Sequence, residues 1–441
     1  MNIRLKYSFI YVVVFSIFGI LLLLMLTQSD DGDKVIKCYS YKLSVPISSI
    51  VKFKETLEMK EKDSWVDDFK RVTDDDSMLV YSAYADGQTK VRVIGITNDT
   101  NADVNCLLWY NSSKVETRLV KAYIANINEN HGKRHTAAYF VCYLCSVHVP
   151  DAVSIVRKST IHFPRNILPV HVNPQLKTRR YFTMCLSPMH SLFNDSVQLI
   201  EWVEMNKLLG VQKFFLYVKS VSDNVQEVLK HYAATESNAL VTVLPWSLSD
   251  VMCGDVILHY CGQLAALNDC LYRNKGYSYY TTASDLDEFI IPYGKGDYTW
   301  TDMLLRIPEY SVYLFRNSFV MRNHETSNAE KGSLPLMIDY TMRDDFIYGP
   351  RDRSKMIVWT DDVVTFGIHN VWAMRSGEEH GVDPNIGLMH HYRKSPVIYP
   401  EGVNVTRITS NTTMKYSKEL KKRVSTVLES LKKISKGNRI V

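Results

Sequence analysis

Thr281-Thr282-Ala283-Ser284-Asp285-Leu286-Asp287-Glu288-Phe289-Ile290-Ile291-Pro292 is an acidic triplet that ends one apolar run and begins another. Where a buried strand surfaces, two carboxylates one residue apart can hold a hard divalent cation and leave open positions for a diphosphate. Taken alone the pattern is short, and Asp285, Asp287 and Glu288 read also as a solvated turn after a strand. What precedes the triplet decides between the two.

Upstream, strands alternate with helices. Residues 181–186 form an apolar strand candidate, and 197–209 follow as a helix with Asp195 or Ser196 near its start and Gly210 as its stop. In that helix Gln198, Glu201, Glu204 and Lys207 fall on one polar stripe, which leaves Leu199, Ile200, Trp202, Val203 and Leu208 to pack on a sheet. Residues 213–218 read as the next strand, 225–233 as a helix, 240–244 as a strand, and 262–274 as a helix stopped by Gly276 before the strand 277–283. Strand-helix units of this length predict a parallel sheet with right-handed crossovers, whose ligands bind beyond the carboxyl ends of the strands. Asp285 and Asp287 sit at such an end.

The chain has 441 residues, 46% apolar and 22% charged, which suits two or three globular domains and excludes wholesale disorder. A net charge of +5 gives no reason to expect nucleic acid as a partner. Residues 7–26 are an almost unbroken apolar run, long enough to cross a bilayer as a helix. Arg4 and Lys6 precede it and Asp30, Asp31 and Asp33 follow it, so the positive-inside rule expects a single-pass type II signal anchor with residues 1–6 cytosolic and the remainder lumenal. A cleaved signal peptide is the competing reading; the run exceeds the usual apolar core and no good small-x-small cleavage site follows. Lumenal placement fits five glycosylation acceptors, at Asn98, Asn111, Asn194, Asn404 and Asn411, and eight cysteines able to pair in an oxidising compartment. Cys142 and Cys145 have redox or zinc spacing but lie in a strand-like run with no second pair, so structural disulfides are expected.

Residues 27–75 read as a polar stem. Between 76 and 175 the pattern is one of short alternating runs: 78–84 and 89–96 flank Asp86-Gly87, a hairpin turn signal, and 104–110, 115–124 and 137–147 continue it. This predicts a small all-β, sandwich-like domain. At the other end, in the tail 401–441, residues 416–436 space Leu420, Val424, Val427, Leu428, Leu431 and Ile434 as an amphipathic helix among lysines, expected to pack on the body.

Leu186-Ser187-Pro188, Glu201-Trp202-Val203-Glu204, Leu209-Gly210-Val211, Gly262-Gln263-Leu264-Ala265-Ala266-Leu267-Asn268-Asp269-Cys270, the triplet with Phe289-Ile290-Ile291-Pro292, and His391-Tyr392-Arg393 stand in an order and spacing that resembles glycosyltransferase family 92. Ser82-Ala83-Tyr84 and Val91-Arg92-Val93-Ile94-Gly95 are similar to that family's N-terminal module. The resemblance spans roughly 78–395. It implies a GT-A-type, Rossmann-like catalytic domain over 176–400, a manganese-dependent DxD site, a UDP-sugar donor and inversion at the anomeric carbon. Members resembling this chain are β-1,4-galactosyltransferases, the animal ones acting on core fucose of N-glycans in the Golgi. The expected function is therefore hexosyl transfer, galactose from UDP-galactose foremost, onto a glycoprotein glycan. The alternatives are a catalytically inactive glycan-binding ectodomain on the same fold, against which the intact Asp285-Leu286-Asp287 speaks, and a glycoside hydrolase, which needs two opposed carboxylates instead.

In that scheme Asp287 holds the divalent ion, Asp285 binds the donor ribose or the metal's water shell, Glu288 stands behind them, and His391 is a third ligand with His390 the alternative. Gln263 and Lys355 are expected near the donor, Lys355 through a family lysine it resembles, whereas Asn268 and Asp269 read as structural. Inversion needs a carboxylate to take the proton of the attacking hydroxyl. Glu325, Asp339, Glu378, Glu379 and Asp383 all follow the motif without a local signature, and Glu325 is the expected base. Trp246, Trp300, Trp359 and Trp372 are either core or sugar-stacking residues.

Overall fold

The computed structural model describes residues 39–437, apart from 63–65, 175, 236–239, 255, 323–335, 395, 396 and 398. The expected tail 1–6, the anchor 7–26, the first part of the stem and the expected base Glu325 lie outside the described residues. Among those described, no helix is long and apolar enough to cross a membrane. Within the stretch read as stem, helix Ile47–Glu61 docks on the body by stacking the buried Phe53 on Trp109, ring centroids 5.2 Å apart.

The N-terminal β module is a closed barrel of seven strands, where the sequence predicts a sandwich. Met78–Asp86 pairs with Lys90–Thr97 across the expected hairpin, and Lys90–Thr97 pairs with Thr136–Tyr143. Asn105–Asn111 pairs with Ala152–Val156, which reaches Leu168–His171 and so returns to Met78–Asp86. Val115–Asn126 decides the difference. Its twelve residues pair first with Asn105–Asn111 and then, further along, with Thr136–Tyr143, so one strand serves both faces and removes the free edges. Alternating apolar periodicity is the same for a sandwich and a barrel, and only this shared pairing separates them. Cys106 and Cys142 form a disulfide inside the barrel.

The following unit is α/β, as expected. Its main sheet has the order Val241–Pro245, Lys213–Val218, Arg180–Met189, Ser278–Ser284, Lys355–Trp359, Val312–Phe315 and Glu379–Gly381. The first four strands run parallel, joined by helices Ser196–Leu208, Asp223–Thr235 and Gln263–Asn274. Lys355–Trp359 is antiparallel to both of its neighbours. Gly276, at φ 75°, makes the turn into Ser278–Ser284, and a Cβ there would lie 2.0 Å from the Pro174 carbonyl oxygen. The buried Cys185–Cys270 disulfide ties strand Arg180–Met189 to helix Gln263–Asn274.

The polar stripe expected on Ser196–Leu208 is not solvated. Glu201 and Glu204 are buried, because the C-terminal helix Met414–Gly437 closes over this face and adds Tyr416, Leu420, Val424 and Val427 to the core that holds Leu199, Trp202 and Val203. Each carboxylate finds a partner: Glu204 accepts from Tyr232 Oη at 2.9 Å and pairs with Lys207 at 3.2 Å, and Glu201 accepts from the Ile338 amide at 3.3 Å. Burial pushes Glu201 up to about 7 against these contacts.

Barrel and α/β unit share a polar core. Asp269 is fully buried and accepts from Ser82 Oγ at 2.5 Å and Tyr84 Oη at 2.7 Å on the barrel side. On the other side it accepts from Tyr217 Oη at 2.6 Å and Arg273 Nε at 2.7 Å. Asn268 accepts from Tyr139 Oη at 2.5 Å and from the Phe366 amide at 2.8 Å. Both residues are structural, as their sequence context implies.

Candidate active site

The first parallel strand, Arg180–Met189, lies between the second and the fourth, so the chain leaves its two sides in opposite directions. A crevice opens at such a switch point beyond the carboxyl ends of the strands. Ser187 closes one side of it and Asp285 the other, and Ser187 Oγ donates to Asp285 Oδ1 at 2.8 Å. Gln263, at the start of its helix, donates from Nε2 to Ser187 Oγ at 2.8 Å and reaches Asp285 Oδ1 at 3.4 Å. Lys355 arrives on the antiparallel neighbour strand, its Nζ 3.5 Å from Asp285 Oδ2 and 3.0 Å from Glu288 Oε2. Glu288 turns back to accept from the Asp285 amide at 2.9 Å.

Burial alone would raise Asp285, but the Lys355 ammonium and the Ser187 hydroxyl bring it below its usual value. Glu288 is raised, since burial outweighs the same ammonium. Lys355 is held above its ordinary range despite burial by Glu288 and Asp285. Lys355 and Glu288 are thus paired beneath the surface, and the same ammonium reaches the partly exposed Asp285 above them.

Asp287 stands apart from this group. Its side chain is 28% exposed, and its Oδ2 lies 3.4 Å from His391 Nε2. Glu288–Pro292 pairs antiparallel with Gly387–Arg393, which sets His391 opposite Glu288, and the Tyr392 amide donates to the Asp287 carbonyl at 2.8 Å. His391 Nδ1 lies 3.4 Å from Glu288 Oε1, whereas its Nε2 is buried without a hydrogen-bond partner. His390, the alternative ligand, faces the other side of the strand as the two-residue alternation requires. There its Nε2 meets Tyr293 Oη at 2.6 Å, and burial pushes it down to about 3.

Among the described residues no group of three or more His, Cys, Asp and Glu could hold a metal ion. A carboxylate oxygen and an orphaned imidazole nitrogen facing each other fit two positions of a divalent ion that takes its remaining ligands from substrate and water. Asp285 and Glu288 are instead engaged with Lys355.

Ser187, Gln263, Asp285, Asp287, Glu288 and His391 line a cavity of about 450 Å³ together with Arg353, His369 and Arg393. Its far wall comes from the barrel. The loop after Val115–Asn126 reaches over, with His131 stacked on His259 at 3.9 Å, the His135 amide donating to the Ile257 carbonyl at 2.8 Å, and Glu129 accepting from the Ile368 amide at 2.7 Å. His131, Tyr260 and Arg353 line the cavity with positive φ, and left-handed backbone at non-glycine residues concentrates where the surroundings force a functional shape. Sequence reasoning did not assign roles to Ser187, His131, Arg353 or His369, none of which has a signature outside this fold. Of the other carboxylates considered as base, none lines this cavity. Asp339 is buried with Lys421 at 2.8 Å, Glu379 pairs with Arg351 at 2.8 Å, Asp383 accepts from the Asn385 amide, and Glu378 lines a different crevice.

The sequence model of glycosyltransferase family 92 matches residues 180–436, more than half of the chain. Over 153 residues the chain is 27% identical to beta-1,4-galactosyltransferase galt-1 of Caenorhabditis elegans, a stretch covering 32% of this chain and 34% of that protein. The chain therefore spans about a third of this relative's length. Among solved structures, the WbbM bifunctional glycosyltransferase in its apo form is 11% identical, with 47% of this chain and 35% of that chain covered at a TM-score of 0.20. At that score the likeness carries no argument.

Proposed function

The chain belongs to glycosyltransferase family 92, and from that premise we propose that it is an inverting, metal-dependent hexosyltransferase on a GT-A-type catalytic domain. The donor is a UDP-sugar, UDP-galactose foremost since the relative named above is a β-1,4-galactosyltransferase, and the acceptor is a glycoprotein glycan such as the core fucose of an N-glycan. The single observation behind this reading is the facing pair of Asp287 Oδ2 and the unpartnered His391 Nε2 at the switch point of the parallel sheet.

Asp287 and His391 would hold Mn²⁺ or another divalent cation, which supplies charge to offset that growing on the departing diphosphate. The chain's own residues do the rest. Ser187 and Gln263 fix the orientation of Asp285, which keeps one face toward the cavity for the donor ribose. Lys355 offsets one of the two charges of Asp285 and Glu288, so the diphosphate meets Asp287 with less negative charge behind it. Arg353 and Arg393 add positive charge to the cavity wall. Glu325 remains the proposed base that takes the proton of the acceptor hydroxyl.

The expectation of a type II Golgi enzyme with a lumenal catalytic domain belongs to the same proposal. Exposure of all five acceptor asparagines, Asn98, Asn111, Asn194, Asn404 and Asn411, supports it, as do the buried disulfides. The test is to offer the purified lumenal residues a panel of UDP- and GDP-sugars with Mn²⁺ or EDTA and score donor hydrolysis and transfer. Turnover of one UDP-hexose, abolished by chelation, is expected. Binding of glycans with no donor turned over would replace this reading with the inactive ectodomain.

A further inference from the structure

A second cavity, of about 320 Å³, lies at the opposite end of the main sheet, lined by Tyr280, Glu309, Tyr310, Trp359, Asp362 and Glu378, with Ser311 and Gly377 between them. Tyr280 lies in strand Ser278–Ser284, five positions before Asp285 at its end, so the two residues are about 17 Å apart at ~3.3 Å per residue. Its walls are aromatic. Tyr280 and Trp359 meet at 5.2 Å with their planes at 89°, and Tyr310 is held flat against His380 at 4.4 Å. The floor is a polar weave in which Asp362 accepts from Ser376 Oγ at 2.9 Å and from Ser311 Oγ, and the Ser311 amide donates to the Glu378 carbonyl at 3.1 Å. Gly377, at φ 82°, lets the chain close on this floor, since a Cβ there would overlap Ser311 Oγ.

The polar groups that face outward are uncommitted. Among the described residues the carboxylates of Glu309 and Glu378 make no ion pair, and the Trp359 indole N–H has no hydrogen-bond partner. Core packing does not explain such a set: Trp202, Trp246 and Trp300 are fully buried with their N–H groups bonded to Ser284 Oγ and the Cys261 and Ile290 carbonyls, and even the exposed Trp372 donates to Glu129. A half-buried aromatic corner combined with free acceptors and one free donor is complementary to a molecule with an apolar C–H face and a ring of hydroxyls.

We propose that this crevice is a saccharide-binding exosite that takes one neutral pyranose residue, separate from the transfer site and on the opposite end of the sheet. One sugar face lies against Trp359 and Tyr280, and its hydroxyls donate to Glu309 and Glu378 and accept from the indole N–H. Its use is to anchor a glycan-bearing partner while another part of that partner reaches Asp287. The binding itself does not rest on the proposed transfer chemistry.

The experiment is saturation-transfer NMR on the full-length chain with lactose and with N,N′-diacetylchitobiose as probes, in the wild type, Trp359→Leu, and the double variant Glu309→Gln/Glu378→Gln. Both glutamates are exposed, so the double variant keeps its fold even if Trp359→Leu does not. An Asp287→Ala chain is run beside them, in which the exosite is expected to bind as in the wild type whatever becomes of donor turnover. The proposal expects at least one probe to bind the wild type and to weaken about tenfold or more in the double variant. No binding by the wild type, or equal binding by the double variant, overturns it. So does a lysine-rich peptide that binds the wild type in place of the sugars and is lost in the double variant, which would make the crevice a cage for cations.

Discussion

Lys355 and Glu288 form a buried ion pair, Nζ to Oε2 3.0 Å, next to the half-buried Asp287 in sequence. The same ammonium serves Asp285 at 3.5 Å, so a single positive charge stands between two carboxylates that would otherwise repel each other and a diphosphate. Removing one partner of such a buried set leaves an uncompensated charge, which costs about 3–5 kcal/mol. Lys355→Met is therefore expected to lose that much stability by urea unfolding, and the further change Glu288→Gln to recover part of it. An unchanged midpoint in Lys355→Met would show that the charges are solvated instead.

His391 and His390 are adjacent, and the two-residue alternation of the strand gives them different fates. His391→Ala is expected to raise the Mn²⁺ concentration for half-maximal binding at least tenfold, measured by calorimetry or by Mn²⁺ resonance, with little change in stability. His390→Ala removes the partner of Tyr293 and leaves metal binding unchanged while lowering the unfolding midpoint. Equal effects of the two on metal binding would remove His391 from the site.

Glu201 gives a pH signature. Its folded value near 7 lies above the ordinary 4.5, so it favours the folded state fully below pH 4.5, and that contribution is lost as pH rises through 7. The raise corresponds to roughly 3 kcal/mol, since Glu201 is buried. Urea unfolding at pH 5 and pH 8 is expected to find the wild type weaker at pH 8 and Glu201→Gln much less so. Parallel pH profiles would place the carboxylate in contact with solvent.

Cys185 and Cys270 join the strand that carries Ser187 to the helix that begins at Gln263. Replacing both by alanine is expected to cost about 2–5 kcal/mol and to loosen both residues that hold Asp285. Non-reducing peptide mapping together with thermal unfolding checks the pair and its cost.

Much of this was legible in the residues. The parallel strands and their helices follow from apolar runs bounded by Asp195, Gly210 and Gly276, and the switch point placed Asp285 and Asp287 at the mouth of the sheet. The site's other half was not. Ser187 comes from a strand, Arg353 and His369 from separate loops, and His131 from a different module, so only the folded chain brings them to one cavity. The buried stripe of Glu201 and Glu204 misleads for a related reason: its cover, Met414–Gly437, is two hundred residues away in sequence. Barrel closure depends on Val115–Asn126 changing partners along its length, which the alternation within one strand does not encode.

The central claim is that Asp287 holds the donor diphosphate through a divalent cation. Its most direct test is UDP-galactose turnover by wild type and Asp287→Ala with Mn²⁺, each with and without EDTA, at matched thermal unfolding midpoints. The account predicts that chelation abolishes wild-type turnover and that Asp287→Ala is slower by roughly 10²–10³ while folding normally. Full turnover by Asp287→Ala, or turnover indifferent to EDTA, would contradict it.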